Sequence, residues 1–107
     1  MKSVTDRVEQ LRRTYSRQLP DRIRELERMW HRFVERREPL PLAAMLESTH
    51  NLTGSGGVYG YPRVSSISRE LHQTLLNIKH EGGAPSSDQR LLIEERIGEL
   101  LREVTPR

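Results

Sequence analysis

One histidine beside a run of glycines is the part of this sequence most suggestive of chemistry. His50 is followed by Gly54, Gly56 and Gly57, and each glycine would cost roughly 0.8–1 kcal/mol relative to alanine inside a helix. Repeated departure from local preference at one place often marks a functional site. In a helix, Gly54 and Gly57 would lie near the face of His50, where small residues let a partner approach the imidazole. The alternative is a loop over residues 54–57, because glycine clusters usually form loops.

A helical wheel places His50 on the outer side of its helix. The apolar and small residues of this segment cluster on one side, and His50 lies roughly 120° from the centre of that cluster. The clustered residues are Leu42, Met45, Thr49, Leu52 and Gly56. The spacing therefore predicts an imidazole at the flank or the outside of a helical bundle.

The next apolar segment is predicted to pack antiparallel to this helix. A turn near residues 59–62 would place opposite each other residues whose numbers add to about 121. His72 would then face His50, and Arg69 would lie one turn before His72 on the same helix. This register predicts a groove between two helices that contains two imidazoles and a guanidinium.

The elements that position these residues are all predicted to be helices, since apolar residues recur with a period near 3.6. The first stripe, over residues 3–18, consists of Val4, Val8, Leu11 and Tyr15. Pro20 either begins a second helix or kinks a single one, and that segment ends before Glu38. The later segments carry apolar stripes at Leu42–Leu52, Val64–Ile78 and Leu92–Val104.

Proline, glycine and serine mark the ends of these segments. Pro41 can begin the helix that contains His50. Gly82 and Gly83 are predicted to end the following helix. Ser86 and Gln89 have the spacing of a capping box for the last helix. No alternating segment is long enough to predict a strand.

Composition excludes several classes of protein. The chain has 107 residues and no cysteine, which fits one domain and excludes disulfide scaffolds, cysteine-bound zinc and iron–sulfur clusters. No apolar run reaches the roughly 20 residues that span a bilayer, and no signal peptide opens the chain. We therefore expect a cytoplasmic protein without membrane contact. Met1 and the lack of flanking linkers favour a free-standing protein over an excised domain.

The net charge of +3 does not by itself indicate nucleic-acid binding. The basic excess lies in residues 1–40, where 11 Lys and Arg residues are interleaved with 7 Asp and Glu residues. Such interleaving is typical of a solvated helix face. The chain also lacks the alternation of aromatic and basic residues that single-strand binders use.

The segment from His50 to Gly60 resembles the signature of the histidine-containing phosphotransfer (HPt) family, approximately H-x-L-K-G-[S/A]-[S/A]-x-x-x-G. The matching positions are His50, Leu52, Gly54, Ser55 and Gly60. Residues 19–23 also resemble a leucine-proline-acid-arginine break found early in many bacterial members. The resemblance is most specific over residues 42–78.

This resemblance implies an all-α, up-and-down four-helix bundle with an additional N-terminal helix, kinked or separate, as one domain over residues 1–107. It implies that His50 accepts a phosphoryl group from a hybrid sensor histidine kinase or a receiver aspartate and passes it to a response-regulator receiver. The chain would be a monomeric phosphotransfer intermediate without kinase activity of its own. It would bind no cofactor, because the receiver supplies Mg²⁺.

The resemblance also implies roles for the neighbours of His50. The family usually has a lysine three residues after the histidine, where this chain has Thr53. Thr53 offers a hydroxyl without charge, and Arg69 is a candidate for the missing cation. His72 stands where the family commonly has a Gln, a Glu or another polar residue that orients the active imidazole.

Partner docking is predicted at Asn51, Gly54 and Gly57. A catalytically inert helical adaptor that binds a partner through the glycine-rich groove is the main alternative function, because Thr53 replaces lysine. A metal-binding bundle is disfavoured, since Glu47-x-x-His50 has no second Glu-x-x-His in the sequence and such sites need two.

Overall fold

Four α-helices build the computed structural model, which describes residues 3–106. The helices are α1 (Val4–Arg36), α2 (Leu42–Val58), α3 (Pro62–His80) and α4 (Ser87–Val104). Each helix packs against the next along the chain, and α1 also packs against α4. No strand occurs within residues 3–106, so the predicted all-helical bundle is confirmed there. The first two residues and the last residue of the predicted domain lie outside the described range.

Local capping chemistry sets several helix ends. The Ser86 hydroxyl accepts from the Gln89 N–H, and the Gln89 side chain accepts from the Ser86 N–H, so the predicted capping box is confirmed. Gly82 and Gly83 have φ of 103° and 93°, which glycine adopts without steric cost. The Gly83 N–H donates to the Ile78 carbonyl at 2.8 Å, and α3 ends there as predicted.

The first helix is continuous through Pro20. The alternative of a separate additional N-terminal helix is therefore wrong, since residues 4–18 are the first part of α1 and Ser3 is its N-cap. Proline removes a helix hydrogen bond to the carbonyl four residues earlier. Leu19 and Ile23, on either side of it, are both fully buried. Packing of Leu19 and Ile23 in the same core offsets the lost hydrogen bond.

The core combines the predicted stripes of α2, α3 and α4 with the second half of α1. Its fully buried apolar residues are Leu19, Ile23, Leu26, Met45, Leu52, Val64, Leu71, Leu75, Ile78, Ile93 and Leu100. The first stripe of α1 departs from this pattern, because Val4, Val8 and Leu11 are exposed and only Tyr15 is buried. At 1.5 Å per residue, a helix of 33 residues is simply longer than the helices that pack against it. No helix in the described part of the chain is long and apolar enough to cross a membrane.

Candidate functional site

The helix that carries His50 continues through all three glycines to Val58, so the loop alternative is wrong. The packing of Gly56 explains why this segment is a helix and not a loop. A Cβ atom on Gly56 would lie 3.0 Å from the backbone nitrogen of Ser65 and 3.2 Å from the carbonyl oxygen of Tyr61. The missing side chain lets the end of α2 approach the start of α3 backbone to backbone.

Side-chain contacts between α2 and α3 follow the predicted hairpin register. Gly56 lies against Ser65, and Thr49 lies against His72. Both pairs fit the rule that facing residue numbers add to about 121. The register therefore brings the two histidines together, with 6.0 Å between the ring centroids of His50 and His72 and 47° between their planes.

The imidazole of His50 is exposed, as the helical wheel predicts. It lies in the middle of the outward face of α2. Within residues 3–106 its ring nitrogens have no hydrogen bond or ion pair with another residue. Neither nitrogen is therefore occupied by another described residue.

Thr49 holds the ring of His72 in place. The helical wheel predicts only that Thr49 faces the core. The Thr49 hydroxyl oxygen is fully buried and lies 2.8 Å from His72 Nδ1. The same oxygen is 2.9 Å from the carbonyl of Met45 and 3.2 Å from that of Leu46. Because the single hydroxyl proton serves these backbone acceptors, we assign the Nδ1 proton to His72. That assignment leaves Nε2 of His72 available to a further partner.

Thr53 and Arg69, the other two predicted supporting residues, differ in what they offer. The Thr53 hydroxyl donates its only proton to the Thr49 carbonyl at 2.7 Å, so it presents no free donor. Arg69 is exposed on α3 one turn before His72, and its guanidinium has no ion pair or hydrogen bond among the described residues. The structure brings neither side chain into a hydrogen bond with His50.

The three predicted docking residues are all exposed on α2, and each lies one helical turn from the next. A Cβ atom on Gly54 would meet nothing within 4 Å, and one on Gly57 would meet only the Ser65 hydroxyl at 3.6 Å. Gly54 and Gly57 thus leave open surface beside His50. Asn51 lines a groove of about 520 Å³ between α1 and α2.

Glu47 is exposed on α2, and no group of three or more histidine or carboxylate side chains that could hold a metal ion lies within residues 3–106.

Comparison with known proteins gives no relative: no family model, no curated protein and no solved structure matches the chain. The function is therefore inferred from the geometry around His50.

Proposed function

We propose that this chain is a histidine phosphotransfer protein. His50 accepts a phosphoryl group from the phospho-aspartate of a receiver domain or from a sensor histidine kinase, and a response-regulator receiver then takes it. The observation that carries the proposal is the exposed imidazole of His50, midway along α2 and without a hydrogen bond or ion pair to another described residue.

The transfer step needs a nitrogen lone pair and little else from this chain. A ring nitrogen of neutral His50 attacks phosphorus, an N–P bond forms, and the P–O bond of the acyl phosphate breaks. The bonding electrons leave with the aspartate carboxylate. The ring then carries the phosphoryl group on one nitrogen and a proton on the other. The reverse step returns the group to an aspartate, and the Mg²⁺ that neutralises the phosphoryl charge belongs to the receiver.

A receiver must bring its aspartate into contact with the ring, which requires open space beside it. Gly54 and Gly57 provide this space, because nothing inside the chain requires either residue to be glycine. Gly56 differs, because the backbone of α3 occupies the space that a side chain at this position would need. Glycines with no internal packing role, on the turns beside an exposed histidine, favour close approach of a second protein.

His72 is the group best placed to assist. Its Nδ1 is fixed by Thr49 at 2.8 Å and its ring is a neighbour of His50. When protonated, His72 carries a positive charge and an Nε2–H donor, which are the two properties of the lysine that Thr53 replaces. Arg69, on the same face of α3, is a second cation for the phosphoryl oxygens.

An inert adaptor is the second candidate function. Thr53 favours it, because the hydroxyl that replaces the usual lysine is already bonded to the Thr49 carbonyl. Such an adaptor would dock on a receiver through the surface of Gly54 and Gly57 and would take up no phosphoryl group.

Transfer of labelled phosphate from a panel of phosphorylated receivers tests the proposal. We expect label on the wild-type chain that is labile to acid and stable to alkali, and its complete loss in His50→Gln. His80→Gln is the matched control, because His80 is also exposed on the bundle surface, and its labelling should stay within about twofold of wild type.

Acid-stable label, or label that persists in His50→Gln, would contradict phosphotransfer through this residue. Binding to a receiver without any label on the wild-type chain would support the adaptor instead. Co-sedimentation of the same receivers with the chain separates these two results.

A further inference from the structure

The first three turns of α1 extend beyond the rest of the molecule. Residues 3–14, which we call the arm, are all exposed, and Tyr15 is the first buried residue of the helix. At 1.5 Å per residue α1 is about 50 Å long, close to the longest dimension of the molecule, 53 Å. The other helices are about 26–28 Å long by the same rise. The arm therefore has no helix packed along most of its length, and only its inner end, at Leu11 and Thr14, borders the end of α2.

The arm carries an apolar seam that faces solvent. Val4, Val8 and Leu11 are 78%, 47% and 54% exposed, and the seam leads directly to Tyr15. Their alternating spacing of four and three residues is the pattern by which one helix packs against another in a coiled coil. A single file of this kind is narrower than the apolar face of a helix that lies on a lipid surface.

Charges beside the seam are all of one sign. Arg7 and Arg12 lie about 70° to either side of it on a helical wheel, whereas Asp6 and Glu9 lie well over 100° away. Asp6 is occupied in the helix cap. Glu9 approaches Arg12 only at 3.8 Å with both side chains about half exposed, a geometry that holds an ion pair weakly. A helix packed on the seam would therefore meet arginine on both edges.

The seam ends in a concave surface where the arm joins the bundle. This groove has a volume of about 280 Å³ and combines seam residues with the end of α2. Its lining residues are Leu11, Thr14, Tyr15, Gln18, Arg22, Ser55 and Tyr59. The guanidinium of Arg22 lies over the Tyr15 ring, 5.7 Å from its centroid. The groove thus adds an apolar floor and a third positive charge at the inner end of the seam.

We propose that the arm is a docking site for an amphipathic helix of a partner protein whose apolar seam is flanked by acidic residues. A second copy of this chain does not fit, because a parallel pair would set Arg7 against Arg12 of the other copy. An antiparallel pair would set arginines against each other or against threonines. The partner's carboxylates would instead pair with Arg7, Arg12 and Arg22. This surface is separate from His50 and does not depend on the phosphotransfer proposal.

Fluorescence anisotropy with two labelled synthetic peptides tests the proposal on the full chain. Both peptides have three heptads with leucine at the seam positions, and they carry glutamate or lysine at the flanking positions. We expect the glutamate peptide to bind at least about tenfold more tightly than the lysine peptide at low salt, and the difference to shrink as salt rises. Leu11→Glu should weaken binding about tenfold or more without altering the thermal unfolding transition.

Adjacent arginines provide a matched pair of variants. Arg12 and Arg13 both pair loosely with Glu9, at 3.8 and 3.9 Å, but only Arg12 flanks the seam. Arg12→Glu should weaken binding of the glutamate peptide at least about fivefold, and Arg13→Glu by no more than about twofold. Equal effects of the two variants, or equal binding of the two peptides, would overturn the proposal.

Two further measurements would detect a different occupant of the arm. Concentration-dependent dimerisation in sedimentation equilibrium that Leu11→Glu abolishes would show that a second copy occupies the arm. Stronger binding to vesicles of phosphatidylcholine and phosphatidylglycerol than to the glutamate peptide would show a membrane site. Either result would overturn the partner-helix proposal.

Discussion

The α2–α3 hairpin and the arm of α1 are built from the same kind of amphipathic helix and use it in opposite ways. In the hairpin, the apolar residues of both helices face each other and the rest of the bundle, and Leu52 and Leu71 are fully buried. In the arm, Val4 and Leu11 have the same helical spacing and face solvent. The difference lies in the neighbouring elements, because helices pack along the whole hairpin, whereas only the inner end of the arm borders another helix.

This contrast shows where each region has surface available for function. The hairpin buries most of its apolar residues within the chain, with Val58 at the end of α2 an exception at 74% exposed. The polar groups that it offers outward include His50. The arm offers its apolar residues themselves. We therefore propose phosphotransfer with receiver docking at the hairpin, and binding of a partner helix at the arm.

Truncating one leucine in each region should give the largest difference between them. Leu71→Ala removes a fully buried side chain and should lower the free energy of unfolding by about 2–5 kcal/mol. Leu11→Ala acts on a residue of the arm and should change it by no more than about 0.5 kcal/mol. Chemical denaturation followed by circular dichroism at 222 nm measures both. A comparable loss in both variants would show that the arm packs against the bundle in solution.

Two glycines of α2 allow a finer comparison. Gly56→Ala would place a Cβ 3.0 Å from the backbone of α3. Overpacking of this kind costs about 1–3 kcal/mol, so a net loss of up to about 2 kcal/mol remains after the helix gain of about 0.8–1 kcal/mol. Gly54→Ala meets nothing within 4 Å and should stabilise the helix by about 0.8–1 kcal/mol. The same denaturation experiment should therefore move the two midpoints in opposite directions. Two shifts of the same sign would mean that α2 and α3 are less closely packed near Gly56.

Gly54→Ala also separates stability from function. If Gly54 serves partner approach, the variant should be more stable and should accept phosphate from a receiver more slowly. Unchanged transfer in the stabilised variant would remove Gly54 from the docking surface. Gly56→Ala does not make this distinction, because it disturbs the packing of both helices.

Much of the hairpin could be predicted from sequence because short-range rules and burial agree there. The helices can be located from their apolar period. Pro62 marks the start of α3, and Gly82 and Gly83 mark its end. The turn fixes the register that places His72 beside His50. The helical wheel predicts only that Thr49 faces the core. The hairpin register places Thr49 opposite His72, and this position is what predicts the hydrogen bond between them.

The first helix could not be predicted in the same way. Periodicity shows that Val4 and Leu11 share a face, but only the lengths of the other helices determine whether that face is covered. Pro20 is a second example, since local preference favours a break there. Burial of Leu19 and Ile23 in one core keeps the helix continuous, and that packing depends on residues distant in sequence.

Tyr15 lies at the boundary between the two regions and connects them. It is the buried end of the seam, its ring stacks on Tyr59 at 4.8 Å between centroids, and its hydroxyl lies 2.9 Å from that of Ser55. Burial raises the pKa of Tyr15 above its ordinary value of 10.0, and the hydrogen bond from Ser55 lowers it in part. The folded chain therefore holds this phenol in its neutral form at a pH where the unfolded chain has begun to ionise.

The smallest expected effect follows from this raised pKa. The stabilisation from neutral Tyr15 is complete below the unfolded pKa near 10 and is lost as the pH rises from there through the higher folded pKa. At pH 8 we expect Tyr15→Phe to be less stable than wild type by about 0.5–1.5 kcal/mol, because it lacks the bond to Ser55. Between pH 9.5 and 11 that gap should narrow, because ionisation destabilises the folded wild type. Urea denaturation of both chains across this range measures it, since ionisation of the other tyrosines is common to both. A gap that stays constant would show that Tyr15 is as accessible to water as the residues of the arm.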